Sequence, residues 1–348
     1  MYDMILTTDW SFLKSSIDVN DACDNIKEII HHGIQLKSFK ISERKIQLIR
    51  TINDITQICT MNNLNLTPKF WSFVQSKRST SRIPGTVFYN DQTIRTPQSV
   101  VNGFSNYFSD VYLLSDPSYK EQDVLINNIH VQINSISEND IIQASKKLKN
   151  KMTSGIDNVP SFVVKDCISA FAMPLCIIFN LILKTKQYPS IWKTTKICPV
   201  LKTGDPSLIT NYRPIAILCN FGKLLEIIIY DNIYSSIKCI ISPSQHGFLQ
   251  EKSTTTNLVC ITQYIAEALD CHGQVDVIYT DIQKAFDQID HFLLLSKLSN
   301  IGFSFNILTL MESYLLGRRQ FVEYGGCRST SYLVYTLAVR KELYGMTY

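Results

Sequence analysis

The sequence VDVIYTDIQKAFDQIDH, residues 275–291, is the most informative stretch of the chain. Its first six residues form an apolar run that follows Gly273 and is interrupted by a single acid, Asp276. A short run of this kind predicts a central β-strand, which would present Asp281 at its carboxyl end. From Ala285 onward the apolar residues recur at helical spacing. This spacing predicts that the chain passes from the strand directly into a helix.

Asp281 has two interpretations on this pattern alone. A carboxylate at the end of a buried strand is costly to desolvate unless a cation or hydrogen-bond donors compensate for it, so Asp281 can be a functional group. An aspartate at this place can also cap the N-terminus of the following helix, which is a frequent role. Asp287 and Asp290 fall in the first helical turns, where the helix dipole favours acids in any case. The residues of this stretch alone favour the capping role.

The net charge of +4 is distributed unevenly along the chain. Residues 141–204 contain only two acids, Asp157 and Asp166, and ten lysines: Lys146, Lys147, Lys149, Lys151, Lys165, Lys184, Lys186, Lys193, Lys196 and Lys202. An excess of positive charge on a folded surface attracts polyanions, of which nucleic acid is the commonest. A solvated lysine-rich face without a partner fits the composition equally well.

The composition predicts a folded intracellular protein with a sizeable core. Hydrophobic residues make up 45% of the 348 residues and charged residues 18%, which excludes wholesale disorder and suggests two domains or one multi-lobed domain. The first residues do not form a signal peptide. The longest uncharged stretch, residues 168–183, predicts a core helix rather than a membrane span. The ten cysteines lack the spacing of zinc ligands and are expected to be reduced core residues.

The remaining elements follow from periodicity, capping and turn residues. Ser137 and Asp140 form a capping-box-like helix start. Helices are predicted over residues 18–36, about 43–58, after Pro97, after Ser137, over 161–186 and over 222–237. Strands are predicted in KICPVL and NYRPIAIL on either side of a Gly-Asp-Pro turn, and in a hairpin formed by residues 321–324 and 332–336.

Several motifs in order resemble one family. VIYTDIQKAFDQIDH resembles the first catalytic motif of reverse transcriptases encoded by non-LTR retrotransposons of the jockey type. Residues 1–135 are similar to the linker that these elements carry between endonuclease and polymerase. Three further stretches resemble consecutive polymerase segments: KMTSGIDNVPSFVVKDC with the following IFNLILKTKQYPSIWKTTKICPVLKTGDPSLITNYRPIAIL, then SPSQHGFLQEKSTTTNL, then HFLLLSKLSNIGFSFNILTLMESYLLGRRQFVEYGGCRST.

The resemblance implies an α+β right-hand polymerase, with fingers and a partial palm made of an antiparallel sheet and flanking helices, preceded by a mostly helical N-terminal region. The expected divisions are 1–135 for the N-terminal extension, 136–270 for the fingers and their lead-in, and 271–348 for the partial palm. The implied reaction copies an RNA template into DNA from a DNA primer and dNTPs. The implied cofactor is Mg²⁺.

The resemblance also implies roles for individual residues. Asp281 and the backbone carbonyl of Ile282 would bind the metal ions, and Phe286 would pack under the deoxyribose. Lys202 and Arg213 would grip the incoming triphosphate; without the resemblance they would be taken as exposed cations beside a turn. Gln245, Gly247 and Phe248 would lie on the template side. Six lysines would contact the nucleic-acid backbone: Lys146, Lys147, Lys149, Lys151, Lys193 and Lys196.

The sequence departs from the family pattern in ways that affect activity. Leu249 and Lys252 stand where the family usually has arginine. No stretch matches Ser-Gly-x-Pro-Gln-Gly, the Ala-Asp-Asp turn or the thumb, so we expect no polymerase activity from this chain. A frameshift upstream of about Val339 would explain this, because one choice of codons for residues 339–343 encodes Pro-Gln-Gly-Thr in another frame. The alternatives are a non-catalytic nucleic-acid-binding remnant and a decayed reading frame.

Overall fold

The computed structural model describes residues 7–32, 83–110, 129–151, 153–281 and 289–334, which form a mixture of helices and short strands. This confirms the predicted α+β class. The helices are α1 (Ser11–Lys14), α2 (residues 19–32), α3 (Pro97–Ser109), α4 (Glu138–Lys147), α5 (Ser161–Asp166), α6 (Ile168–Thr185), α7 (Ser190–Lys193), α8 (Asn220–Ile237), α9 (Thr254–Asp270), α10 (His291–Ile301) and α11 (Phe305–Leu315). The strands are β1 (Val87–Tyr89), β2 (Gln92–Ile94), β3 (Thr194–Leu201), β4 (Tyr212–Ile217), β5 (Arg319–Tyr324), β6 (Cys327–Arg328) and β7 (Tyr332–Leu333).

β3 lies inside the main sheet, whose strand order is β4–β3–β5–β6, with β7 also paired to β5. β3 and β4 are antiparallel, from Lys196 opposite Ile217 to Leu201 opposite Tyr212. β3 and β5 are parallel, whereas β6 and β7 are both antiparallel to β5. The strands predicted from KICPVL and NYRPIAIL are therefore confirmed as neighbours joined by the Gly-Asp-Pro turn.

α6 lies at the centre of the larger hydrophobic core. Phe171, Leu175, Phe179 and Ile182 on this helix are at most 1% exposed, and burying side chains of this size contributes about 1.5–3 kcal/mol each. The helix has the length and hydropathy of a membrane span. Its buried face and its packing against α4 and α11 nevertheless match the predicted core helix.

The start of α4 is fixed by two polar side chains. The Ser137 hydroxyl accepts from the Asp140 amide, and the Asp140 carboxylate accepts from the Ser137 amide at 2.8 Å, which confirms the capping box. Asn180 in α6 accepts a hydrogen bond from the Ile136 amide at 2.9 Å and donates one to the Ile136 carbonyl at 2.7 Å. The polar residue within the apolar helix therefore clamps α6 to the residue before the cap.

α2 joins the same core from the N-terminal side. Its N-terminal cap is Asp18, whose carboxylate accepts from the Asn20 amide at 2.7 Å. The buried side chains of α2 lie in one cluster with those of α4, α6 and α8. The division at residue 135 stays a prediction, and the core is continuous across it. The predicted helix over 43–58 lies outside the described residues.

The turn before α5 depends on one glycine. A Cβ atom on Gly155 would lie 2.7 Å from the Cα of Cys219 and 2.8 Å from the carbonyl carbon of Leu218. Atoms this close must shift, so the position excludes any side chain. The close approach places Asp157 in the core, with 2% of its surface exposed, and His31 on α2 donates a hydrogen bond to the Asp157 carbonyl.

A second, smaller core covers one face of the sheet. It contains Ile197, Tyr212 and Val322 from β3, β4 and β5. The covering residues come from the segment 83–110, which contributes β1, β2 and α3, and they are Ile83, Val87, Val100, Val101, Phe104 and Phe108. Part of the predicted N-terminal linker therefore packs against one face of the main sheet.

The predicted strand before Asp281 is wrong. Residues 274–281 have no regular secondary structure, and Ile278 and Tyr279 are 88% and 87% exposed. An apolar run forms a strand only when a neighbour supplies hydrogen bonds and a covering face. In the described sheet, the partners of β3 are β4 and β5.

Other expectations are confirmed in part. The helix predicted from Ala285 is seen as α10, which begins after Asp290, whose carboxylate accepts from the Leu293 amide at 2.9 Å. Residues 282–288 lie outside the described part of the chain. The predicted hairpin is present, with β5 paired to both β6 and β7, and the long helix over 161–186 is divided at Cys167 into α5 and α6.

The cysteines are distributed differently from the prediction that they are core residues. Cys23, Cys167 and Cys219 are buried, but Cys239, Cys260 and Cys271 are exposed. Two of the exposed three lie in α9 or at its C-terminal cap, and α9 contains no buried residue. A helix without buried residues exposes its cysteines together with its other side chains. Cys59 lies outside the described residues.

Candidate nucleotide and nucleic-acid site

The β3–β4 hairpin presents two cations on one face. Lys202 directly follows β3, and its amide donates to the Asn211 carbonyl at 2.9 Å, which extends the ladder by one step. Arg213 lies in β4 opposite Val200. Because directly opposed residues share a face and side chains alternate with period two, Lys202 and Arg213 lie on the same face. Tyr212 lies on the other face, in the smaller core.

Both cations are exposed, whereas Tyr212 on the opposite face is buried. Among the ion pairs of the described residues, none involves Lys202 or Arg213. An arginine fork and a lysine point charge that are accessible and lack a carboxylate partner can bind a phosphate chain. The hairpin therefore has the chemistry of an anion site.

The turn that carries Lys202 is held by its own side chains. The Ser207 amide donates to the Asp205 carboxylate at 2.8 Å, which lowers the pKa of Asp205 below its ordinary value. The Asn211 side-chain amide donates to the Asp205 carbonyl at 3.0 Å, and the Tyr212 hydroxyl donates to the Pro206 carbonyl at 2.7 Å. Gly204 has a φ of +87°, where a side chain is strained. The turn is thus a defined structure.

The segment 83–110 braces this turn from outside. The Phe88 amide in β1 donates to the Ser207 carbonyl at 2.8 Å, and the Tyr107 hydroxyl in α3 donates to the Thr210 carbonyl at 3.1 Å. Gly103 in α3 leaves room for Ile209, because a Cβ there would be 3.0 Å from its Cδ1 atom. Sequence reasoning missed this brace, although the helix after Pro97 was predicted. The amphipathic pattern of α3 predicted a helix but did not indicate which element that helix would contact.

Asp281 lies at the end of an exposed, irregular stretch. The proposed desolvation of its carboxylate is therefore not observed. Ile282 and Phe286, the predicted backbone ligand and sugar-contacting residue, lie outside the described residues. Within the described ranges, no three His, Cys, Asp or Glu side chains lie close enough together to hold a metal ion. One carboxylate does not fit a two-ion magnesium centre.

The predicted template-side residues lie in the turn between α8 and α9. The Gln245 side-chain amide donates to the Gly247 carbonyl at 3.1 Å. Phe248 has a φ of +64° and is 36% exposed. His246 between them hydrogen-bonds to the Thr256 hydroxyl at 2.9 Å, next to the capping box of α9. Gln245, Gly247 and Phe248 thus lie together in one exposed turn.

The predicted backbone-binding lysines have different surroundings. Lys147 forms an ion pair with Asp231 at 2.6 Å, and Lys196 forms one with Glu323 at 3.2 Å. Lys193 is half-buried, and burial together with the nearby Arg318 lowers its pKa. Three others are exposed, at the end of α4 or in the residues after it: Lys146, Lys149 and Lys151. The positive charge of residues 141–204 is therefore partly neutralised on the folded surface.

Sequence reasoning also missed a polar network around Arg318. The guanidinium of Arg318 lies 4.6 Å from the centre of the Tyr314 ring and donates to the Tyr314 carbonyl at 3.1 Å. The Tyr314 hydroxyl donates to Glu226 in α8 at 3.1 Å, and the Tyr188 ring meets the Tyr314 ring edge-on at 4.9 Å. This network joins α8, α11 and the start of β5. The adjacent arginines at 318 and 319 gave no signal of it, because their burial depends on contacts distant in sequence.

Comparison with known proteins identifies one family over part of the chain. Residues 200–336 match the family described as reverse transcriptase (RNA-dependent DNA polymerase). The family match is confined to this segment of the chain. That segment begins within β3 and includes Lys202, Arg213, the α8–α9 turn, Asp281 and β5.

Similar proteins are named as RNA-directed DNA polymerases of transposons and mobile elements. The chain is 32% identical over 193 residues to the probable RNA-directed DNA polymerase from transposon BS of Drosophila melanogaster, a match that covers 55% of this chain and 21% of the relative. It is 32% identical over 187 residues to the RNA-directed DNA polymerase from mobile element jockey of Drosophila funebris, covering 53% and 20%. The matched stretch thus spans about a fifth of these relatives.

Proposed function

We propose that this chain supplies the fingers and the first palm carboxylate of an RNA-directed DNA polymerase of the non-LTR retrotransposon type. The observation that carries the proposal is the β3–β4 hairpin, where Lys202 and Arg213 share one exposed face. The names of the similar polymerases support the same reaction class. The ligands would be an RNA template, a DNA primer and a dNTP inside the cell.

In this proposal each described site residue has one task. Lys202 and Arg213 bind the triphosphate of the incoming nucleotide, because their cationic groups project from adjacent strands toward the same side. Gln245, Gly247 and Phe248 border the template. Asp281 would be one of the several carboxylates that a magnesium centre needs, and Ile282 and Phe286 keep the roles that the resemblance implies. The lysines bind the phosphates of the nucleic-acid backbone.

Nucleotide binding by the 348-residue chain tests the hairpin directly. A fluorescent dTTP analogue with Mg²⁺ is titrated into the wild-type chain and into the variants Lys202→Ala and Arg213→Ala. Each variant should bind several-fold more weakly, and Arg213→Lys should bind with intermediate affinity because it keeps the charge but loses the fork. Lys238→Ala removes an exposed lysine just after α8 and serves as the control. Equal affinity of the wild type and all four variants for the dTTP analogue would contradict the proposal.

We further propose that these 348 residues alone do not extend a primer. Two-metal nucleotidyl transfer needs more than one carboxylate, and the sequence contains no pair of adjacent aspartates beyond Asp281. Primer extension on poly(rA)/oligo(dT) should give no incorporation above the background of Asp281→Asn. Incorporation that depends on Asp281 would refute inactivity while leaving the polymerase assignment intact.

The second candidate is a nucleic-acid-binding remnant without catalysis. The exposure of Lys146, Lys149 and Lys151 supports it. It requires affinity for RNA that falls steeply with salt and survives Asp281→Asn. It also requires that the dTTP analogue does not bind, which separates it from the first proposal. A decayed reading frame, the third option, would give an insoluble product on expression.

A further inference from the structure

A pair of stacked tyrosines flanks Asp231, the residue that forms an ion pair with Lys147 at the end of α4. Tyr230 and Tyr234, one turn apart on α8, have ring centres 5.6 Å apart and planes inclined by only 20°. Both are half-buried. On the same flank, Asp231 forms the ion pair with Lys147 at the end of α4. The contact between α4 and α8 therefore brings an aromatic stack and a lysine cluster to one place.

The tyrosine stack has the properties of a surface that binds nucleobases. Residues four apart on a helix are neighbours, so each ring limits the motion of the other. Partial burial fixes the stack further, which reduces the entropy lost when a ligand binds. Base–aromatic stacking is independent of sequence because every base has a π-face. An unpaired base can stack on such rings, whereas a base within a duplex is already stacked between its neighbours.

The lysine cluster supplies the matching charge. Lys146 and Lys147 end α4, and Lys149 and Lys151 follow it. The side chains of Lys147 and Asp231 are 50% and 38% exposed. An ion pair this exposed contributes little and exchanges readily with other ions. In this arrangement the Asp231 carboxylate pairs with the Lys147 ammonium group until a phosphate takes the place of the carboxylate.

We propose that this surface, made of Tyr230, Tyr234 and the lysines at the end of α4, binds single-stranded nucleic acid. A base stacks on the tyrosines, and the adjacent phosphates contact the lysines. The inference rests on the proposed function, in which the single strand is the RNA template. The inference adds the two tyrosines to the residues that bind the template. It also assigns Asp231 as an anion that competes with the phosphates for Lys147.

Binding of oligonucleotides to the full 348-residue chain tests the surface. Fluorescence anisotropy is measured with labelled U20, labelled dT20 and a labelled RNA duplex at several salt concentrations. Tyr234→Leu should weaken binding of U20 by roughly 5- to 100-fold without changing the salt dependence, because it removes stacking but not charge. Tyr234→Phe keeps the ring and should bind as the wild type. Tyr264→Leu, at a tyrosine 65% exposed on α9, is the matched control.

The charge variants test the role of Asp231. Lys147→Ala should weaken binding and reduce the slope of log affinity against log salt by about 0.7. Asp231→Asn should strengthen binding, by up to about fivefold, because it releases Lys147 for phosphate. Weaker binding by Asp231→Asn would overturn the assigned competition. Thermal melting of every variant separates a loss of fold from a loss of contact.

The outcomes distinguish this inference from the proposed function. If the wild type binds U20 in a salt-dependent manner but Tyr234→Leu binds equally well, the tyrosine surface is refuted and the polymerase proposal stands. If the wild type binds no oligonucleotide, both fail. An equal effect of Tyr234→Leu on the RNA duplex would refute the requirement for unpaired bases, and an effect on dT20 alone would refute the template assignment.

Discussion

The hydroxyl of Tyr107 on α3 donates a hydrogen bond of 3.1 Å to the carbonyl of Thr210, in the turn between β3 and β4. The two residues are 103 positions apart. The bond joins a segment that precedes the reverse transcriptase match to the hairpin that carries Lys202 and Arg213. Residues that precede the family match therefore help to hold in place the hairpin for which nucleotide binding is proposed.

Replacing Tyr107 by phenylalanine should loosen this turn. The variant loses one hydrogen bond, which contributes about 0.5–1.5 kcal/mol, and leaves the Thr210 carbonyl without this donor. Amide hydrogen exchange should become faster for residues 202–211, with little change in α6. Tyr279→Phe, at a side chain 87% exposed, is the control. Unchanged exchange in the turn would show that the brace does not stabilise it.

The sequence predicted the elements of the fold better than their contacts. The capping box at Ser137 and the strands of the β3–β4 hairpin follow from local spacing, because short-range geometry decides them. The strand at residues 275–280 does not form in the described sheet, because its partners are not specified locally. An apolar run indicates burial, and whether a neighbour covers it depends on the rest of the fold.

The candidate site shows the same division. Lys202 and Arg213 were placed by motif, and the register of the hairpin brings them to one face. The neutralisation of Lys147 and Lys196 could not be predicted, because their partners Asp231 and Glu323 are 84 and 127 residues away. Arg318 was missed for the same reason. Long-range pairing of charges is a property of packing.

Gly155 should tolerate no side chain. In Gly155→Ala the new methyl group would lie 2.5 Å from the backbone nitrogen of Cys219, and overpacking of this kind costs roughly 1–3 kcal/mol. Urea denaturation should show a lower midpoint. Gly247→Ala is a matched control, because nothing lies within 4 Å of the added atom. Equal midpoints for the two variants would contradict the close contact.

The exposed apolar side chains of α9 should cause self-association of this chain. Leu258, Tyr264 and Leu269 are 63%, 65% and 59% exposed, and exposed apolar patches promote association. Replacing all three by glutamate should lower the apparent mass in light scattering without lowering the melting temperature, since α9 has no buried residue. Leu225→Glu, at a residue with 0% exposure, should instead unfold the chain. If the triple variant has the same apparent mass as the wild type, α9 is not the surface through which the chain associates.

Asp157 should make stability depend on pH. Burial raises the pKa of its carboxyl group, opposed in part by the Val159 amide and by His31 and Lys223. The Oδ2 atom has no hydrogen-bond partner among the described residues. A raised pKa in the folded state means that the contribution of Asp157 to stability is fully present below the ordinary value of 3.8 and is lost as pH rises through the folded pKa.

Urea denaturation of the wild type and of Asp157→Asn between pH 4 and pH 7 tests the sign. The stability of the wild type relative to the variant should fall as pH rises, because only the wild type must hold a buried carboxylate in its charged form. Asp205→Asn is a control for which the opposite pH dependence of stability is expected. The pKa of Asp205 is lowered by the Ser207 amide, so its contribution is lost as pH falls. If Asp157→Asn and the wild type show parallel pH profiles, the carboxyl group of Asp157 is not desolvated in the folded chain.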